Sequence, residues 1–262
     1  MATSTFAPTM LLAIDHGPIR ELRLNRPPVN ALSGELISQL RQSVEAAAGS
    51  GIRALILSGM PRRFSAGLDL PLLVGLDRAQ IRAVWREFYG LIQALACSPI
   101  PVAVALTGHA PAGGTVLAIF CDWRVMAEGD FKIGLNEVPV GLPLPGVILA
   151  ALRRLLGAHQ AERLSVGGVL LSPQQALEVG LIDEVAAIDQ VVERALAWCE
   201  ALLALPVVAM TATRRAARAD LTAYFGQNLE AEMAQVVADW WSPEAQRSLR
   251  SLAEKLGTKK EA

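Results

Sequence analysis

The sequence is short of charge and of cysteine. Charged residues make up 19% of the 262 positions, and 24 lysines and arginines nearly balance 25 aspartates and glutamates, for a formal net charge of −1. Because neither sign is in excess, no overall electrostatic attraction favours nucleic acid or an anionic membrane, and we expect neither partner. The three cysteines, Cys97, Cys121 and Cys199, have no metal-ligand spacing, and their odd number argues against a disulfide framework. A reducing cytoplasm is therefore the expected compartment.

Targeting and nucleotide-binding signals are also missing. Residues 1–9 lack the cationic start and apolar core of a signal peptide. No stretch of ~18 apolar residues is free of charge, so the sequence predicts no membrane-spanning helix. No Gly-x-Gly-x-x-Gly or Walker-type loop occurs, and nothing supports a role that depends on a nicotinamide or on ATP.

Apolar residues dominate what is present, at 52% of the chain. This is enough to bury a large core, either in one domain with an appendage or in two small domains. Strand and helix patterns mix up to about Ala187, whereas the chain is almost wholly helical from Gln190. We therefore predict a core at residues 1–187 and a helical region at residues 188–262. So apolar a chain without a membrane span is also expected to cover surface by self-association.

One stretch combines a strand, a glycine-rich turn and a helix start. Pro101 to Leu106 is typical of a buried strand, Gly108 to Gly114 contains the turn, and Gly113 to Phe120 suits a short buried helix. Such an arrangement collects backbone N–H groups that have no partner inside the helix, and the helix dipole strengthens their attraction for negative charge. It could hold an oxyanion. The alternative is a tight turn where two backbones approach closely.

Two further motifs complete a family pattern. Phe64–Leu70 reads FSAGLDL, Pro111–Gly114 reads PAGG, and Ile133–Glu137 reads IGLNE. The first two resemble the crotonase superfamily, also called the enoyl-CoA hydratase/isomerase family. All three together look most like its mitochondrial-type Δ3,Δ2-enoyl-CoA isomerases. The likeness runs from about Leu11 to about Ala187 and is carried by motifs in the expected order.

The resemblance implies a fold, an assembly and a substrate class. The fold is an α/β crotonase (ClpP-like) spiral of repeated strand-strand-helix units, with a helical C-terminal region that covers the pocket or a subunit interface. The assembly is a homotrimer or a hexamer. The substrate is an acyl-CoA thioester, and no metal or redox cofactor is needed.

The resemblance also implies roles for individual residues. The backbone N–H groups of Leu68 and Gly113 would stabilise the enolate oxygen of the thioester, and Glu137 would be the catalytic base. Burial of Glu137 among apolar neighbours should raise its pKa, which helps it to take and return a proton near neutral pH. The implied substrate-binding residues, with the Ala66 carbonyl near the CoA adenine, are Ala66, Gly67, Asp69, Gly114 and Asn136.

Val116 is the departure that bears on the reaction. Hydratases of this family carry a second glutamate at this position, and the two carboxylates together activate water. With one carboxylate left, double-bond migration from a 3-enoyl-CoA to a 2-trans-enoyl-CoA in fatty-acid oxidation is the expected activity. Hydration or another enolate-forming reaction is the second hypothesis, and a non-catalytic CoA-binding protein is the third.

Other chemically suggestive residues carry less weight. A nucleophilic triad of Ser65, His109 and Asp69 lacks the Gly-x-Ser-x-Gly elbow, and Asp69 is expected to be a structural hydrogen-bonding residue. Arg214, Arg215 and Arg218 lie on one predicted helix. Such a run usually forms a solvated helix face, and a contact with a CoA phosphate is the alternative.

Overall fold

The computed structural model describes residues 9–226 and 229–258. Residues 1–8, to which most of the predicted absence of a signal peptide refers, lie outside this part of the chain. The described strands are β1 Leu11–His16, β2 Ile19–Leu24, β3 Ala54–Ser58, β4 Arg62–Arg63, β5 Val102–Leu106, β6 Gly108–Pro111, β7 Trp123–Ala127, β8 Ile133–Gly134 and β9 Glu184–Ala186. The described helices are α1 Gly34–Ala47, α2 Leu70–Leu73, α3 Arg78–Ala96, α4 Gly113–Ile119, α5 Gly146–Leu156, α6 Ala158–Val166, α7 Pro173–Glu178, α8 Val191–Leu203, α9 Val207–Ala217, α10 Ala219–Tyr224, α11 Leu229–Trp240 and α12 Pro243–Thr258.

Successive strands of the chain alternate between two sheets after β3. The larger has the order β1-β2-β3-β5-β7-β9, antiparallel between β1 and β2 and parallel from there on. The smaller has the order β4-β6-β8 and is parallel. Each passage of the chain thus adds one strand to the large sheet and the next to the small sheet, and a helix then leads back. This is the predicted spiral of strand-strand-helix units.

Strands β3 and β5 are buried along their whole length, as expected for parallel strands covered on both faces. The long helices show the complementary pattern. In α1, the Ser33 hydroxyl caps the first turn by accepting a hydrogen bond from the Leu36 N–H. In α3, Asp77 and Gln80 form a capping box, and one face of the helix is buried. These caps and periodicities are local features of the sequence, and from them the sequence predicts a helix from Ser33 to Ala48 and another from Asp77 to Cys97.

The small sheet was predicted only in part. The sequence pattern favours a loop at residues 60–63, where the structure has β4. It predicts a turn at residues 108–114, where β6 comes before α4. The strands β4 and β8 are two residues long, so they carry no alternation to detect. Gly108 explains the close pairing of β4 with β6, because a Cβ atom there would lie 1.9 Å from the carbonyl carbon of Arg62.

The arginines of α9 and of the α9–α10 junction correct a further expectation. Arg215 is exposed, but Arg214 is half-buried and Arg218 is buried, so the run is not a solvated helix face. Arg214 Nη2 lies 2.8 Å from Asp122 Oδ2, and Arg218 Nη1 lies 3.0 Å from Asp122 Oδ1. Arg218 Nη2 also donates to the Phe120 carbonyl at 2.8 Å. These bonds tie the C-terminal helices to the segment between α4 and β7.

The helices after β9 pack against the earlier part of the chain and do not stand apart from it. Helix α8 packs against β3, β5 and β7, and the indole of Trp240 in α11 is buried. Where the division between residues 1–187 and 188–262 falls stays a prediction. Among the described helices, none is long and apolar enough to cross a membrane alone. Helices α8 and α9 together satisfy length and composition, but they meet at a bend of 112°.

Candidate active site

A cavity of about 580 Å³ lies where the motif residues meet the C-terminal helices. Its walls are mostly apolar. They come from the loop before α1, from α2 to α5, and from α11 and α12. The lining residues are Pro28, Val29, Ala31, Arg63, Ala66, Leu68, Asp69, Leu70, Pro71, Trp85, Phe88, Pro111, Ala112, Gly113, Val116, Asn136, Glu137, Val140, Leu142, Pro143, Pro145, Ile148, Val236, Asp239, Leu252 and Leu256.

The backbones of the two glycine motifs meet at this cavity. Gly67 has φ of +83°, and a Cβ atom there would lie 3.0 Å from the Gly113 nitrogen. A Cβ atom on Gly113 would lie 3.5 Å from the Leu68 nitrogen. Within the described part of the chain, neither the Leu68 N–H nor the Gly113 N–H donates to a protein acceptor. Two free amide groups that lie this close can donate to a single oxygen atom that bears negative charge.

Ala112 holds the second amide in place through an unusual backbone. Its φ of 49° and ψ of −121° are rare for a residue with a side chain. Its N–H donates to the Gly134 carbonyl in β8 at 2.9 Å, and its own carbonyl accepts from the Val116 N–H in α4 at 2.9 Å. The surrounding hydrogen bonds thus maintain a conformation that costs roughly 1–3 kcal/mol, as is common at functional sites.

Glu137 supplies a carboxyl group to the same cavity. It follows β8 and precedes the 3₁₀ turn at Val138–Val140, and its backbone carbonyl accepts from Val140 and Leu142. The side-chain oxygen Oε2 is shielded from solvent and has no hydrogen-bond partner within the described residues. Burial disfavours the charged form and raises the pKa of Glu137 to about 7. The group can therefore either accept or donate a proton near neutral pH.

Asn136 lies beside this carboxyl group. It also lines the cavity, and its Oδ1 atom is buried without a hydrogen-bond partner in the described structure. Buried acceptor oxygens without donors, here on two residues adjacent in sequence, are costly unless a ligand or water satisfies them. Their presence in an otherwise apolar wall indicates a place where a polar part of a ligand is held.

Asp69 and Gly114 have structural surroundings. The Asp69 side chain caps α2 by accepting from the Leu72 N–H, and its Oδ2 lies 2.6 Å from Arg26 Nη2. Gly114 is buried behind the cavity wall, where a Cβ atom would lie 2.9 Å from the Ser65 carbonyl oxygen. Of the eight predicted site residues, the cavity is lined by Ala66, Leu68, Asp69, Gly113, Asn136 and Glu137, and Gly67 and Gly114 support it from behind.

The structure does not assemble the alternative triad. The Ser65 hydroxyl donates to the Asn30 carbonyl at 2.8 Å, and His109 Nδ1 accepts from the Lys132 N–H at 3.2 Å. Neither group is bonded to the other. The described residues also contain no cluster of three or more His, Cys, Asp or Glu side chains that could hold a metal ion.

Several lining residues were not predicted as part of the site. Trp85 and Phe88 in α3 form buried cavity wall, and Val236, Asp239 and Leu252 reach it from the last two helices. The sequence gives α3 an apolar face, but that pattern is the same whether the face meets a core or a cavity. Val116 was singled out, and it is buried in the cavity wall on α4.

Comparisons with known proteins identify a family and related structures. Residues 15–260 match the family described as Enoyl-CoA hydratase/isomerase. The mouse mitochondrial enoyl-CoA delta isomerase 1 is 34% identical over 97% of this chain and 90% of its own length. A probable enoyl-CoA hydratase of Mycolicibacterium paratuberculosis is 35% identical over 82% of this chain and 84% of its length. The crystal structure of human mitochondrial Δ3-Δ2-enoyl-CoA isomerase superimposes with a TM-score of 0.90 at 31% identity, covering 96% of this chain and all of that one.

The parallel sheets wound into a spiral, with two free amides and a buried carboxyl group around one cavity, define a protein of the crotonase fold class. With the match over residues 15–260, the chain belongs to the enoyl-CoA hydratase/isomerase family.

Proposed function

We propose that the protein is a Δ3,Δ2-enoyl-CoA isomerase, which moves the double bond of a 3-enoyl-CoA to the 2-trans position in fatty-acid oxidation. The observation that carries this proposal is that Glu137 provides a carboxyl group to the cavity while Val116 provides an apolar side chain. Both side chains line the cavity, and only one of them is a carboxyl group. Isomerisation needs one group that takes and returns a proton, whereas the family's hydratases use a second glutamate at the position of Val116.

In the proposed mechanism, the thioester oxygen accepts hydrogen bonds from the N–H groups of Leu68 and Gly113. Glu137 removes a proton from C2, and the electron pair of the C2–H bond moves into an enolate conjugated with the C3–C4 double bond. The protonated carboxyl group then delivers this proton to C4. The electrons return to form the C2–C3 double bond, so the product has the same atoms as the substrate and Glu137 is again ionised.

The surroundings of these groups support such a mechanism. Each preorganised donor aimed at an oxyanion is worth roughly 10²–10³ in rate. A pKa of about 7 for Glu137 keeps both of its protonation states accessible at neutral pH. We propose that Asn136 orients the thioester by donating from its amide N–H, or the protonated Glu137 carboxyl group by accepting at its unpartnered Oδ1 atom. We also propose that Ala66 contacts the CoA adenine and that no metal or redox cofactor is required.

Hydration is the second candidate, and the similarity to a probable enoyl-CoA hydratase favours it. A panel of 2-enoyl- and 3-enoyl-CoA thioesters with resolved products separates the two reactions. We expect conversion of 3-enoyl-CoA to 2-trans-enoyl-CoA and little 3-hydroxyacyl product from crotonyl-CoA. Hydration that exceeds isomerisation would reject the isomerase. Binding of CoA thioesters without any turnover would support a non-catalytic member of the family.

We also propose that the protein is a homotrimer or a hexamer. Apolar side chains at the junction of α8 and α9 are exposed, with Leu205, Val207 and Val208 at 50%, 53% and 79%. Such side chains on neighbouring residues suit a contact between subunits. Light scattering at micromolar concentration should give the mass of three or six chains, and a stable monomer would contradict this.

A further inference from the structure

The wall of the cavity is uneven in exposure and in charge. Trp85, Phe88 and Ile148 are buried and form a closed apolar part of the wall. Pro28, Arg63 and Ala66 are exposed and form part of the rim. An acyl chain gains free energy from apolar surroundings, whereas a phosphate that entered them would lose its hydration. A CoA thioester held at the amides therefore directs its acyl group to the closed part and its nucleotide outward.

Arg63 is the single Lys or Arg side chain among the residues described as lining the cavity. Its backbone is fixed: its N–H donates to the Met60 carbonyl at 3.0 Å, and the residue pairs with His109 between β4 and β6. Its Nη1 atom donates to the Pro28 carbonyl at 3.0 Å, which holds the side chain along the rim. A guanidinium group has five N–H donors, and within the described residues the others have no protein acceptor, which leaves them available to a ligand.

The acidic residues that line this cavity do not pair with Arg63 within the described chain. Asp69, the nearest carboxylate in sequence, is paired with Arg26 at 2.6 Å. Within the described chain, no carboxylate forms an ion pair with Arg63. A second cation lies beside it, because the Arg62 guanidinium carbon is 5.3 Å from the centre of the Phe131 ring. Two guanidinium groups thus lie at or beside this rim although the whole chain has a net charge of −1.

We propose that Arg63 binds a phosphate group of the CoA nucleotide and thereby makes the site selective for CoA thioesters over pantetheine thioesters. Of the three arginines that the sequence suggested for such a contact, Arg214 and Arg218 are both bonded to Asp122, and Arg215 does not line the cavity. Arg63 instead lies on the cavity rim, and its planar guanidinium group, which forms no ion pair with a described carboxylate, matches the geometry of a phosphate. This inference rests on the proposed function for the identity of the ligand.

The test compares three thioesters of the same 3-enoyl acid, made with CoA, with dephospho-CoA and with pantetheine. Each is assayed with the wild type, Arg63→Gln, Arg63→Lys and the control Arg53→Gln, which removes an exposed arginine that does not line the cavity. For Arg63→Gln we expect KM for the CoA thioester to rise roughly tenfold at unchanged kcat, because the lost contact is the same in ground and transition states. KM for the pantetheine thioester should not change.

The remaining variants and the dephospho-CoA thioester show whether the effect comes from the charge of Arg63 and which phosphate it contacts. Arg63→Lys keeps the charge without the planar fork and should restore only part of the affinity, and Arg53→Gln should resemble the wild type. If Arg63 contacts the 3′-phosphate, the dephospho-CoA thioester will be insensitive to Arg63→Gln. If it contacts the diphosphate, the sensitivity will persist, and both outcomes support the proposal. An equal rise of KM for the CoA and pantetheine thioesters, or no rise for either, would overturn it.

Calorimetric titration with free CoA keeps this test separate from the isomerase assignment. If the wild type converts none of the thioesters but Arg63→Gln still weakens CoA binding roughly tenfold, the proposed reaction fails and the phosphate contact stands. If the wild type is an active isomerase and the variant binds CoA unchanged, the reaction stands and the role of Arg63 is rejected.

Discussion

Replacing Glu137 with glutamine should change the pH dependence of folding stability. Burial raises the pKa of this carboxyl group from its usual 4.5 to about 7. Ionising the group in the folded protein is therefore unfavourable by about 3 kcal/mol relative to the unfolded chain. Glutamine has nearly the same shape and cannot ionise, so Glu137→Gln removes this contribution and leaves the packing of the cavity wall in place.

The sign follows from linkage. Because the pKa is higher in the folded state, the stability linked to the bound proton is fully present below pH 4.5 and is lost as the pH rises through about 7. The advantage of Glu137→Gln over the wild type should thus be smallest near pH 4.5. It should grow with rising pH and level off above pH 7 at roughly 3 kcal/mol.

Urea unfolding of both proteins at matched concentrations from pH 5 to pH 8.5 measures this difference. Contributions from the other titrating groups cancel when one curve is subtracted from the other, provided that they lie away from residue 137. A stability difference that is constant across this range would show that the pKa is not raised. A difference that shrinks with rising pH would show that a partner stabilises the carboxylate. The conclusion that burial raises the pKa of Glu137 would then be wrong.

Three further predictions concern other parts of the molecule. Val116→Glu adds a second carboxyl group to the cavity wall, and hydration of crotonyl-CoA should rise roughly tenfold or more while isomerisation falls, as product analysis can show. Gly67→Ala places a Cβ atom 3.0 Å from the Gly113 nitrogen at a backbone φ of +83°, so kcat for isomerisation should fall roughly 10²-fold. Arg218→Ala opens a buried ion pair and should lower the free energy of unfolding by about 3–5 kcal/mol, whereas Arg215→Ala, which removes an exposed arginine, should change it by less than about 0.5 kcal/mol in urea titrations.

The elements that the sequence predicted are those whose pattern is local. Helix α3 has apolar residues at helical spacing and a capping box at Asp77, and β5 is a continuous apolar run between turn signals. The pairing of β4 with β6 joins residues that are far apart in the chain, and a strand of two residues leaves no periodic signal. The length of a strand and its place in a sheet are decided by the strand beside it.

The candidate site also contains residues that the sequence predicted and contacts that it could not predict. The motifs predicted that Leu68, Gly113 and Glu137 would meet, and all three line one cavity. Their distribution over three loops was recognisable because of the family resemblance, since no spacing rule brings together residues of different loops. The same limit hid the pairing of Arg218 with Asp122, which are 96 positions apart. A cluster of arginines on a helix looks solvated until its partner is known.

We propose that a single carboxyl group, that of Glu137, carries the proton between C2 and C4. Turnover of a 3-enoyl-CoA by Glu137→Gln tests it most directly, with Asp239→Asn as the matched control, because Asp239 also lines the cavity. We expect Glu137→Gln to lose roughly 10²–10⁴-fold in kcat, the usual contribution of a general acid–base group, and Asp239→Asn to stay close to the wild type. Isomerisation by Glu137→Gln at the wild-type rate would contradict it.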